Sequence, residues 1–232
     1  MSKLVRFHIV MIAASLCSAS FVYAEQEQRY DMWEEPSHQL VFVNGPARVL
    51  DVRIAPGATS DFHKHRFATA YVIIQDALVA NQYWEDEWSA SGPRELREAG
   101  VTVDNANYVE KPYYHRVRNE DEKPFHVVAV INERSASGAA DSPEPGAPVD
   151  NAWFKEHRVQ VGPDASSDTL KFDNDVVVVQ FDDGPSHVIE DGVAHGYKSA
   201  PAGFSWHRAG SEFSIVNPGK RSVELVLIEV RE

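Results

Sequence analysis

Apolar positions along the 232-residue chain come in short runs rather than in helical stripes. Leu40–Val43, Arg48–Ile54, Tyr71–Val79, Phe125–Ile131, Val176–Phe181 and Val223–Val230 are rich in Val, Ile and aromatic side chains. Clusters of Gly, Pro, Asn and Asp separate them. Such runs read as strands joined by turns, and many of them at even spacing predict an all-β sandwich or barrel. Trp84–Trp88 and Arg94–Glu98 fit the strand pattern poorly and are expected as a loop with a helical turn.

Two segments depart from the pattern. At the start, Lys3 and Arg6 precede an apolar stretch from Ile9 to Val22, which closes on Val22-Tyr23-Ala24. A charged start, an apolar middle and small residues at alternate closing positions describe a removable secretory signal over 1–24. The stretch falls short of the roughly 20 residues needed to span a bilayer. Leu16 before Cys17 is too large for the usual lipoprotein site. Between Arg134 and Val149 the composition shifts to Ser, Ala, Gly and Pro with no apolar pattern, which predicts an exposed connection, 134–150, between lobes at 27–133 and 151–232.

The two lobes resemble each other. Pro56-Gly57-Ala58-Thr59-Ser60-Asp61-Phe62 is matched by Pro163-Asp164-Ala165-Ser166-Ser167-Asp168-Thr169, and each is followed by an apolar strand ending in Gln, at Gln75 and Gln180. Later, His115-x-x-x-Asn119 before Phe125–Ile131 is matched by Phe213-x-x-x-Asn217 before Val223–Ile228. An internal repeat of this kind implies two copies of one fold, packed together.

Charge and cysteine usage narrow the function classes. The formal net charge is −13, or −15 once Lys3 and Arg6 leave with the signal. That argues against nucleic acid or an anionic membrane as partner, since both reward positive charge. The one cysteine, Cys17, lies in the signal, so disulfides, thiolate catalysis and zinc–thiolate sites are excluded from the mature chain. A periplasmic or secreted protein held together by its core is the expectation.

The densest chemical signal is Gly57 followed by His63-Lys64-His65. On a strand, residues two apart face the same side, so both imidazoles can turn into a barrel. Pro112-Tyr113-Tyr114-His115-Arg116-Val117-Arg118-Asn119 supplies a third His about fifty residues on. Two imidazoles from one strand and one from its neighbour form a facial nitrogen set that leaves open positions on a divalent metal.

At these residues the chain resembles the cupin superfamily. Gly57, His63, His65, Pro112, His115 and Asn119 fill places in the two cupin motifs. The resemblance implies two tandem double-stranded β-helix (jelly-roll) barrels, a bicupin, with a metal in the mouth of the first. The sequence departs from the motif where the Glu ligand falls, at Thr69 or Ala70, and where the closing Gly falls, at Asp76 or Ala77. The implied site is three His without the carboxylate, an arrangement found in some cupins and also what a vestigial site would show. In the second lobe Leu170, Phe172 and Phe213 stand where His63, His65 and His115 do, so that barrel is expected to be filled and metal-free. His187, His195 and His207 lie off these positions and read as loop or surface residues.

The metal implied is iron, manganese, zinc, nickel or copper; imidazole suits zinc, iron, nickel and copper alike. Tyr71 and Tyr113 are the candidate catalytic donors, with Thr69 and Gln75 as further pocket groups; core or rim packing is the competing role for each. The aromatic stretch Tyr83–Trp88 reads as a lid over the mouth or an oligomer contact, and equally as a plain hairpin with large side chains. The functional expectation is a metal-dependent enzyme acting on a small organic molecule, the resemblance leaving oxygenase, isomerase and lyase open. The alternative is a non-catalytic bicupin that binds a small ligand or a metal. A third reading makes the imidazoles direct binders of an acidic ligand, helped by Arg66 and Arg116. Homodimers through edge strands are expected from the resemblance.

Overall fold

A computed structural model describes residues 28–88, 94–135, 147–195 and 203–232, all of them in strands, turns and loops with no helix. The signal-like 1–24 and most of the 134–150 connection lie outside the described residues. No helix among the described residues is long and apolar enough to cross a membrane.

The first ten strands make two facing five-stranded sheets. β1 (Arg29–Asp31), β4 (Phe62–His65), β9 (Tyr113–Asn119), β6 (Ala77–Tyr83) and β7 (Glu95–Arg97) pair in that order. Opposite them run β2 (His38–Asn44), β3 (Ala47–Ile54), β10 (Phe125–Asn132), β5 (Ala68–Gln75) and β8 (Thr102–Asn105). The apolar run Tyr71–Val79 is thus two strands on different sheets, turned at the half-polar Gln75-Asp76 corner. Asp76 accepts the Ala99 amide at 2.7 Å there. Arg94–Glu98 is no helical turn: β7 pairs with β6, placing Arg97 against Ala77 and Glu95 against Val79.

The remaining strands repeat the plan. One sheet runs β11 (Phe154–Val161), β19 (Val223–Val230), β14 (Asp175–Gln180), β17 (Gly203–His207). In the other, β18 (Glu212–Asn217) pairs with β12 (Ala165–Ser166), β13 (Leu170–Lys171) and β15 (His187–Glu190), and β15 pairs with β16 (Val193–His195). The copies agree in detail. Gly57 (φ 71°) and Asp164 (φ 52°) take the same left-handed turn position, which Gly adopts freely and Asp tolerates. Asn119 donates to the carbonyls of Ile54 (3.0 Å) and Lys123 (2.7 Å) and accepts from the Asp121 amide (3.0 Å). Asn217 does the same to Val161 (3.0 Å), Arg221 (2.7 Å) and the Gly219 amide (2.9 Å). Both amides are fully buried. The repeated Asn is therefore a buckle that ties the turn after one strand to the end of another.

The two barrels pack through the sheets that hold β10 and β19. Every residue of β10 is buried: Phe125, Val127, Ala129 and Ile131 enter the first barrel, while Val128 and Val130 enter a core shared with the second. In β19, Val223, Leu225 and Leu227 fill the second barrel and Val226, Ile228 and Val230 the shared core. Strands covered on both faces need apolar residues at successive positions through their middle, which is why these runs show no alternation in the sequence. Asn151 to Asp104 (2.7 Å) and Arg158 to the Gly100 carbonyl (2.7 Å) add polar links across the junction.

Candidate metal centre

Strand alternation and register build the site. In β4, His63 and His65 turn inward while Phe62 packs outward against Trp84. In β9, Tyr113, His115 and Val117 share the inner face. His63 lies directly opposite His115, His65 opposite Tyr113, and Tyr83 opposite His115. The three imidazoles meet with ring centroids 4.6–5.0 Å apart, and one nitrogen from each falls within 4.8 Å of the others. Nε2 of His65 and Nε2 of His115 are 2.9 Å apart. Two nitrogens each about 2.1 Å from one ion lie about 3 Å apart at a right-angle geometry, so the His65–His115 pair has the spacing of two ligands on one metal, and His63 brings a third nitrogen beside it.

The outer contacts orient these rings. His63 Nδ1 donates to the Asp61 carbonyl at 2.9 Å, which leaves its Nε2 lone pair for a ligand. His65 Nδ1 is 3.0 Å from the Tyr71 hydroxyl, and Tyr71 reaches on to Tyr108 at 3.4 Å. Burial holds His63 and His65 well below the ordinary imidazole value, and neighbouring imidazoles lower both further. Burial, with His38 and Arg97 nearby, pushes His115 down to about 3. All three are therefore neutral donors at neutral pH. Burial raises Tyr71, Tyr108 and Tyr113, so each keeps its phenolic proton.

A cavity of about 210 Å³ opens beside the imidazoles. Val52, Ile54, Val79, Phe125 and Val127 are among its apolar walls; Tyr71, Tyr83, Tyr108, Tyr113, Asn81 and Arg97 are among its polar ones. Tyr71 and Tyr113 thus stand where a bound molecule would meet them. Thr69 and Gln75 are not among the lining residues. Thr69 is buried and donates to the Phe67 carbonyl at 3.0 Å, and Ala70 faces the shared core, so no carboxylate replaces the missing Glu on β5.

Other expectations need correction. Arg116 alternates away from His115, lying over Phe62 (4.5 Å) and bonding Gln82 at 2.7 Å; Arg66 pairs with Asp31 at 3.0 Å. Neither lines the cavity; among the described residues the cation that does is Arg97, ion-paired with Glu95, which also lines it. Its register opposite Ala77, a core residue of this barrel, turns it inward. His207 is not a surface residue. It is 1% exposed, stacks on Phe213 at 4.0 Å, and bonds Glu190 through Nδ1 and Ser205 through Nε2, both at 2.8 Å. It faces inward because it opposes Val176, a core residue of the second barrel. His187 is half-buried and His195 is exposed. Leu170 opposes Phe213 in the register in which His63 opposes His115, and Phe172 packs beside Phe213.

Two wall residues went unmarked in the sequence. Tyr108 packs tilted against His65, ring centroids 4.6 Å apart. His38 meets His63 edge-on at 4.4 Å and is 7% exposed. Burial lowers His38 and Glu35 partly offsets this. Neither residue belongs to a spaced motif, so only strand register reveals them.

No protein-family model matches the chain, and no curated protein matches it. Solved structures do. AerE from Microcystis aeruginosa aligns with TM-score 0.62 at 10% identity, over 85% of this chain and 99% of that one. A cupin 2 conserved barrel domain protein from Leptotrichia buccalis gives 0.53 at 11%, over 84% and 88%. Salicylate 1,2-dioxygenase from Pseudaminobacter salicylatoxidans gives 0.56 at 9%, over 80% and 71%. At such identities the likeness is one of architecture: the chain folds as two paired jelly-roll barrels like those of these cupin-type structures.

Proposed function

We propose that the chain is an exported metal-dependent enzyme that acts on a small organic molecule in the cavity of its first barrel. The observation that carries the reading is the convergence of three buried, uncharged imidazole nitrogens beside that cavity. His63, His65 and His115 would hold one divalent ion. Such an ion supplies Lewis acidity toward a bound oxygen and open positions for a second ligand.

The chain's own residues do the rest. The Asp61 carbonyl and the Tyr71 hydroxyl hold His63 and His65 in place. The apolar walls exclude water from one side of a bound molecule. Tyr113, kept protonated by burial, offers a hydrogen bond, and Arg97, its charge balanced by Glu95, offers guanidinium N–H donors at the wall. The salicylate 1,2-dioxygenase likeness favours small phenolic acids and oxygen-dependent cleavage as the first class to try, on fold analogy alone. The absent Glu favours a second reading, a bicupin that binds without turnover. Export rests on the leader-like 1–24, and N-terminal sequencing of the secreted protein should begin at Glu25.

Metal analysis of the purified protein tests the main reading. The wild type is expected to carry about one ion per chain, and His63→Ala to carry almost none. Equal metal content in both removes the site. Turnover on a panel of phenolic, carbonyl and sugar compounds separates enzyme from binder.

A further inference from the structure

Among the described residues, His38 is the one cavity imidazole outside the metal-binding set. It opens β2 opposite Val52, a core residue of the first barrel, and that register turns its ring inward. Its Nδ1 is 2.8 Å from the Met32 carbonyl, and a carbonyl only accepts. Nδ1 therefore carries the proton and Nε2 a lone pair. Nε2 has no partner among the described side chains or backbone, while the residue lines the cavity beside His63.

The segment that delivers this ring is itself tied to the site. Glu35, 3% exposed, accepts from the Ser37 amide at 2.8 Å, from the Ser37 hydroxyl, and from the Asp61 amide at 2.9 Å. The carbonyl of Asp61 in turn receives His63 Nδ1. Glu35 also stands 3.5 Å behind His38 Nδ1. Among the described residues the second barrel has no counterpart of this arrangement. Its sheet begins at β11, the equivalent of β3, with no strand outside it among those residues. The strand that brings His38 therefore goes with the barrel that has the imidazole set.

We propose that His38 selects the ligand of this site: its Nε2 accepts a hydrogen bond from a hydroxyl that a small bound molecule carries next to its metal-facing oxygen. The ligand class is then a small molecule with a free hydroxyl at that place, in preference to the corresponding ether. This rests on the metal reading above. His38 is not a fourth ligand, because its nitrogens lie outside the group within mutual ligating distance.

The test uses Co(II)-loaded protein and two probes, glycolate and methoxyacetate, which differ only in whether the oxygen beside the carboxylate bears a proton. Binding is followed by the visible absorption of Co(II). Wild-type protein is expected to prefer glycolate, and His38→Leu to lose about ten-fold of that preference while keeping one Co(II) per chain. His38→Gln, whose amide oxygen can accept in place of Nε2, is expected to keep part of it. An unchanged preference in His38→Leu overturns the proposal. So does loss of Co(II) from both His38 variants, which would make the residue part of the metal site. Wild-type protein that takes up no Co(II) overturns the metal reading as well.

Discussion

Tyr71→Phe removes one oxygen and should weaken metal binding without touching a ligand. The Tyr71 hydroxyl is 3.0 Å from His65 Nδ1, and no other polar group is within hydrogen-bonding range of that nitrogen among the described residues. With the hydroxyl accepting, the His65 proton stays on Nδ1 and the Nε2 lone pair faces the ion. Without it, the proton can move to Nε2, where the His115 Nε2 at 2.9 Å is a ready acceptor. A metal must then break that bond and leave Nδ1–H buried without a partner. Losing such an outer-shell contact typically costs 10–100-fold in metal affinity, about 1.4–2.7 kcal/mol. Competition against a chromophoric chelator measures it, with Zn(II) or Co(II) as the probe. Tyr113→Phe is the control, because Tyr113 shares the wall but bonds no imidazole, and its effect should stay below about three-fold. Wild-type affinity in Tyr71→Phe, or an equal loss in Tyr113→Phe, refutes the reasoning.

Two further outcomes follow from burial. Asn119→Ala should cost about 2–4 kcal/mol in urea unfolding, because two carbonyls and one amide lose their partner in a dry setting; a loss under about 1 kcal/mol would show that water replaces it. Metal-free protein should melt at lower temperature near pH 5.5 than near pH 7.5. The folded imidazoles of His63, His65 and His115 resist protons that the unfolded chain binds below about 6.5. Stability present above that pH is lost as pH falls toward the folded values, at about 1.4 kcal/mol per imidazole per pH unit. A melting temperature that is flat or rises on acidification contradicts it.

The strands and the three-imidazole set were legible because each rests on local pattern: apolar runs, a two-residue spacing, and a repeated turn and Asn. What escaped depends on register between strands far apart in sequence. His38 faces the cavity because it pairs with Val52, and Arg97 because it pairs with Ala77. His207 turned inward for the same reason, against Val176. Arg116 is a different case. Alternation along β9 already places it opposite in sense to His115, and proximity in sequence was the wrong guide. The corner at Asp76 was hidden because both flanking strands are apolar.

A strand with oil on both sides carries a hidden hazard. In most half-buried strands, sliding by one residue would put polar groups in the core, and that penalty sets the alignment. β10 has no such penalty across its middle, since Val127-Val128-Ala129-Val130 would exchange one greasy face for another. Its alignment must be held by its ends: His126 on Asp51 at 2.8 Å, and Asn132 on the Arg231 carbonyl at 2.9 Å. These two polar anchors keep the lining of the first barrel's cavity from trading places with the seam between the halves.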